Sequence, residues 1–209
     1  MTGVSALNRV VGNTLRALHA RVITPVRIEL LRGLFGVRGA ADAAGRLPMS
    51  EVVATLRRLG AHIGDRACIK PGLRIDNAEG DLSSLWIGDN VHIGNDVFID
   101  LTAPVRLEDD VAVASNVSLV THFDTGDRPL AQYYARRSGP VVISRGAMIG
   151  TGVVILHGVT VGAAAVVGAL SLVHRNVPPG HVVAGNPARV VRVLAAADSR
   201  PIAAAAPQA

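Results

Sequence analysis

Aliphatic residues set two rhythms along this chain. Between residues 4 and 37, Leu7, Val11, Leu15, Leu18 and Val22 return at steps of three and four. That is the spacing of one face of an α-helix, and Pro25 is expected to interrupt or restart it. A second, short helix is expected over residues 49–59, capped at Ser50 and closed at Gly60. From Ile63 the period becomes six. Ile63, Ile69, Ile75, Ile87, Ile93 and Ile99 keep phase with one missed beat at Asp81, and a two-residue slip leads on to Leu107, Val113 and Leu119. After a gap the beat resumes at Ile143 and continues through Ile149, Ile155, Val161, Val167 and Val173. The residue two before each beat is mostly Val, Leu or Ala. Glycine often follows, as in Ile63-Gly64, Ile87-Gly88, Ile149-Gly150 and Val167-Gly168.

A period of six fits neither a helix nor an ordinary hairpin. It predicts an all-β solenoid, a parallel β-helix in which each hexapeptide gives a short strand with alternate residues turned inward. At each corner glycine is expected to avoid a Cβ clash at unusual dihedrals. No repeat buries its own face, so stacked coils must bury one another. An insertion in such a stack projects from a corner, and residues 120–142 read as an excursion loop. The chain thus divides into a helical N-terminal extension over 1–60, a solenoid domain over 61–194 and a loose tail, AAADSRPIAAAAPQA, over 195–209.

Composition agrees with that core. Of the residues 49% are hydrophobic but only 3% aromatic, so Val, Ile, Leu and Ala must fill one sizeable domain. The net charge of +5 comes from arginine, yet no Lys/Arg run is interleaved with aromatics and no zinc-finger spacing occurs. Nucleic acid is therefore not the expected partner, and a polyanionic cofactor accounts for the charge as well. The single Cys68 excludes an intrachain disulfide framework. No apolar stretch approaches the roughly 20 residues of a membrane span. Arg9, Arg16, Arg21 and Arg27 break up any signal-peptide-like run, so a cytoplasmic protein is expected. The first forty residues carry Arg9, Arg16, Arg21, Arg27, Arg32 and Arg38 against one acid, Glu29. An apolar stripe so flanked suits peripheral contact with an anionic membrane, or else packing on the solenoid or on a neighbouring subunit.

The segment IGTGVVILHGVTVGAAAVVGALSLVHRNVPPGHVVAGNPARVVR joins the repeat run to a VPPG turn and an AGNPARVVR ending. In that order, and over about residues 60–194, the chain resembles the hexapeptide-repeat, left-handed β-helix acyltransferases, in particular the maltose and galactoside O-acetyltransferase type. The resemblance implies a homotrimer with active sites between subunits, acetyl-CoA or another acyl-CoA as co-substrate with no metal, and a carbohydrate hydroxyl as acceptor. It places the catalytic histidine at His122, where the loop begins. A hydroxyl is a poor nucleophile at neutral pH, and an imidazole is poised to take its proton. Asp124 is expected to orient that ring or to touch the acceptor. Asn95 and Asp100 are candidate acceptor ligands, because the chain reads Gly94-Asn95-Asp96 where relatives place a substrate-binding Asn. The family pattern sets Gly150, Thr151, Ala169, His174, Arg175 and Arg192 along coenzyme A, with the two arginines nearest its phosphates. Met148 stands where several relatives have Trp.

Other chemistries stay open. Transfer to an amino group of a sugar or antibiotic, and a non-catalytic scaffold, both fit the same solenoid. A zinc carbonic anhydrase needs three protein ligands, partly from an H-x₄-H pair, and no two histidines here are five apart. His62, His92, His157 and His181 fall in or beside repeat corners, where structural or exposed roles are expected. Cys68 could carry an acyl group, but it lies far from His122 in repeat count, which favours direct transfer.

Overall fold

The computed structural model describes residue 14 and residues 19–194. The helical spacing at Leu7, Val11, Leu15 and Leu18, and the tail, lie outside the described residues.

The six-residue beat builds a parallel β-solenoid. Its first face stacks the strands His62–Ile63, Leu85–Ile87, Val105–Leu107, Val141–Ile143 and Thr160–Val161. The second face carries Cys68–Ile69, His92–Ile93, Ala112–Val113, Met148–Ile149 and Val166–Val167, and ends with His181–Ala184. The third carries Arg74–Asp76, Phe98–Asp100, Ser118–Leu119, Val154–Ile155 and Leu172–Val173. Each beat residue points inward. Ile93, Ile99, Val113, Leu119, Ile143, Ile149 and Ile155 are all completely buried. Burial of each such side chain is worth about 1.5–3 kcal/mol, gained only when the next coil covers it.

The irregularities of the beat share one position. From first to second face, and from second to third, the inward residues are always six apart, as in Ile87, Ile93 and Ile99. From third face back to first the step is twelve between Ile75 and Ile87, eight between Ile99 and Leu107, and 24 between Leu119 and Ile143, before it settles at six between Ile155 and Val161. The missed beat at Asp81, the two-residue slip and the long gap are therefore three insertions stacked on one corner.

The glycines that follow a beat residue, such as Gly64, Gly88 and Gly150, act by close approach, whereas the corner glycines Gly72, Gly146, Gly152 and Gly158 take the expected left-handed φ. A Cβ on Gly150 would lie 2.6 Å from the backbone nitrogen of Ala169 in the next coil. Left-handed φ falls also on Asn77, Asn90, Asp96, Asp110 and Asn116, residue types whose short polar side chains tolerate that conformation, and on Arg66, Ala164 and Leu170.

Helices close the N-terminal end of the stack. A π-helical turn over His19–Ile23 leads into the helix Thr24–Gly45, with Pro25 in its first turn, where a missing N–H costs nothing. Its regularity breaks at Gly36, whose φ of 69° and ψ of -173° are not helical, close to the end of the expected helical region at 37, and a further helical stretch runs on to Gly45. A second helix, Met49–Arg58, has Pro48 and not Ser50 at its cap position, with no side-chain cap. Ile28, Ala40, Ala41, Ala44, Val52 and Leu56 are buried against the first coil. Gly45 O accepts a hydrogen bond from Gly72 N at 3.0 Å, and Arg57 Nε donates to Ile63 O at 2.9 Å. At the opposite end Arg189–Val193 turns back antiparallel on His181–Ala184.

Candidate active site

The three stacked insertions converge on one hollow of about 410 Å³. The first supplies Asn77, Ala78 and Glu79, the second Thr102, and the loop His122, Asp124 and Arg136. The loop is tied down at its root: His122–Phe123 pairs antiparallel with Arg137–Ser138, and Thr121 O accepts from Gly139 N at 2.9 Å. His122 is thereby held at the rim, with its side chain 29% exposed.

Its partner comes from the coil below. Asp100 ends the strand Phe98–Asp100, which pairs with Ser118–Leu119, so its carboxylate meets the start of the loop. Oδ2 lies 2.6 Å from His122 Nδ1 and accepts from both the backbone N and the hydroxyl of Thr121 at 2.8 Å. Oδ1 accepts from Asn77 Nδ2 at 2.8 Å, from Thr102 Oγ1 at 2.9 Å and from Thr102 N at 3.1 Å. Burial pushes the Asp100 carboxyl up, but the hydrogen bonds from Asn77, His122, Thr121 and Thr102 outweigh it and hold it well below the usual carboxylate range. An ionised carboxylate has no proton to give. His122 Nδ1 therefore carries the hydrogen and donates it, and in the neutral ring the lone pair falls on Nε2.

This arrangement redistributes the sequence assignments. Asp100, expected as an acceptor ligand, is 1% exposed and committed to protein donors, so it orients the imidazole instead. Asp124 shares the hollow but turns to its own loop, accepting from Gly126 N at 2.7 Å and facing Arg136 Nε at 3.6 Å. Asn95 sits away from His122 within the chain, on the corner between second and third faces, where it shares a hollow of about 290 Å³ with Met148 and Thr151. Gly150 and Ala169 stack on that same corner. His174 and Arg175 lie instead at the His122 corner, further along the axis, beside a hollow of about 240 Å³. Arg192 lies opposite Val182 beside the second face. His62 and His92 stand on strands with exposed side chains. Cys68 stands on the second face, opposite His92. Sequence reasoning missed Asn77, Thr102 and Thr121; the breaks in the six-residue beat marked the corner that carries them.

Comparison with known proteins places this solenoid, with its imidazole–carboxylate pair at the insertion-bearing corner, in the acyltransferase class. No family profile matches the chain. It is 30% identical over 145 residues to the galactoside O-acetyltransferase of Escherichia coli K12, covering 66% of each chain. With an acetyltransferase assigned to colanic acid biosynthesis in the same organism it shares 32% over 138 residues, 66% of this chain and 71% of that one. Among solved structures, a hexapeptide-repeat-containing acetyltransferase from Vibrio cholerae is similar at a TM-score of 0.68 and 32% identity, covering 81% of this chain and 93% of that one. The Vibrio cholerae enzyme complexed with acetyl coenzyme A matches at 0.67 and 31%, covering 81% and 90%. The chain belongs to the hexapeptide-repeat acetyltransferase family, of the galactoside O-acetyltransferase type.

Proposed function

We propose that the protein transfers an acetyl group from acetyl-CoA to a hydroxyl of a carbohydrate or glycoconjugate, with His122 as general base. The observation that carries this reading is the pairing of His122 Nδ1 with the ionised, buried Asp100 at 2.6 Å. The acceptor hydroxyl donates its hydrogen bond to Nε2. As its oxygen attacks the thioester carbonyl, the proton passes to Nε2, and the imidazolium so formed is stabilised by Asp100. Collapse of the tetrahedral intermediate breaks the C–S bond, and the imidazolium returns the proton to the departing thiolate. Cys68 takes no part.

The similar Vibrio cholerae enzyme bound to acetyl coenzyme A supports the donor, and relatives named for galactoside and colanic acid support a saccharide acceptor. The division of the expected residues between two corners supports a trimer with sites between subunits. In such a trimer the His122 corner of one copy faces the corner bearing Asn95, Gly150, Thr151 and Ala169 of the next, with Arg175 and Arg192 toward the cofactor phosphates.

Thiol release from acetyl-CoA, followed across a panel of saccharides, tests the reading. His122→Ala should lower kcat by about 10²–10⁴-fold and leave calorimetric affinity for coenzyme A nearly unchanged. Retention of more than a tenth of wild-type kcat, or capture of an acylated Cys68, would sink it. Absence of coenzyme A binding would favour a scaffold.

A further inference from the structure

We infer that the N-terminal helix docks the molecule on an anionic lipid surface. The helix Thr24–Gly45 turns Thr24, Ile28, Val37, Ala40, Ala41 and Ala44 toward the body. On its other side stands a second apolar row. Val22, Val26, Leu30 and Leu34 follow one another at four-residue steps, and the last three are exposed to 65%, 61% and 66%. Ile23 and Phe35 are exposed with them. A surface helix ordinarily presents one dry and one wet face; this one is apolar on both. In the sequence the row continues back through Leu18, Leu15, Val11 and Leu7, which lie outside the described residues.

The charges around the row decide what covers it. At about 100° per residue, Arg27 falls on one flank and Arg21 and Glu29 on the other, while Arg32 turns toward the body, near Asp81. Arg9 and Arg16 precede them, and Glu29 is the one acid in the first forty residues. A second copy docked on the row would bring together two segments that each carry more arginine than acid. A bilayer of anionic lipid answers both features: the apolar row enters the acyl boundary, and the guanidinium groups meet headgroup phosphates in bidentate contacts. Among the described residues no helix is long and apolar enough to cross a membrane, so the helix lies in the interface plane.

The test reads binding alone and does not depend on the acyl-transfer reading. The full chain is floated with vesicles of phosphatidylcholine, and with vesicles of equal parts phosphatidylcholine and phosphatidylglycerol. It should rise with the anionic vesicles at low salt, lose at least about tenfold in partition at 1 M salt, where charge is screened, and stay below with the neutral ones. The double variant Leu30→Asp, Leu34→Asp should lose binding with its circular dichroism unchanged, and Arg21→Gln, Arg27→Gln should lose the salt dependence. Failure of the full chain to bind anionic vesicles at low salt would overturn the inference. So would undiminished binding by the Leu30→Asp, Leu34→Asp variant, or a fall in its assembly mass by light scattering, which would make the row a contact between copies.

Discussion

Six donor–acceptor contacts converge on Asp100, three at each oxygen, and every one of them brings a hydrogen toward the carboxylate. An amide in its place must turn an NH₂ toward donors whichever way it is placed. With the NH₂ facing His122, the ring must accept at Nδ1 and carry its proton on Nε2, where the base is needed. Asp100→Asn should therefore lower kcat by about 10²–10⁴-fold and cost about 3 kcal/mol of stability, read by turnover and by urea melts. The same pair predicts acid sensitivity. The folded Asp100 carboxyl lies below its unfolded value of about 4. Its stabilisation is fully present above that pH and drains away as pH falls through and below it. Urea midpoints of the wild type should drop more steeply than those of Asp100→Asn on acidification from about pH 4 to pH 2.

Strands of two or three residues leave little room for error at their corners. A Cβ at Gly150 would meet Ala169 N at 2.6 Å and Val167 O at 2.8 Å, both backbone atoms of the covering coil. Gly150→Ala should cost about 1–3 kcal/mol through overpacking. Gly146 is glycine for a different reason: its φ is +68° and nothing lies within 4 Å of an added Cβ. Asn adopts that conformation readily, so Gly146→Asn should stay within about 0.5 kcal/mol of wild type. Thermal melts of the two variants separate close approach from backbone conformation.

At the scale of the whole molecule, the division of the expected site between two corners makes a test of assembly. His122→Ala chains retain the corner with Thr151 and Ala169, and Ala169→Trp chains, blocked there, retain His122. Each alone should be nearly inactive. Mixed at random into trimers, three quarters of the assemblies hold one intact site in three, so about a quarter of wild-type activity should return. No recovery on mixing would show both corners serving a site within one chain. Arg175→Ala and Arg192→Ala should raise KM for acetyl-CoA with kcat little changed, because phosphate contacts are alike in ground and transition states. Unchanged KM in both would remove them from the cofactor path.

The sequence by itself determined the solenoid. An inward aliphatic residue every sixth position leaves no other way to bury Ile93, Ile149 or Val167, and insertions could enter only at corners. The rim position of His122 was also legible, since the rhythm halts at Leu119. What the tertiary structure decided was polar pairing. Asp100 and His122 are 22 residues apart, and Thr121 and Thr102 lie outside any motif. They meet because three insertions of different length stack on the same corner, which brings one coil's strand end beneath the next coil's loop. Hydrophobic periodicity fixes which side chains point inward; it carries no information on which buried carboxylate a histidine one coil away will find. The helical stretch that follows the break at Gly36 went unread for a related reason: it is held by packing of Ala40, Ala41 and Ala44 on the first coil, which local spacing does not reveal.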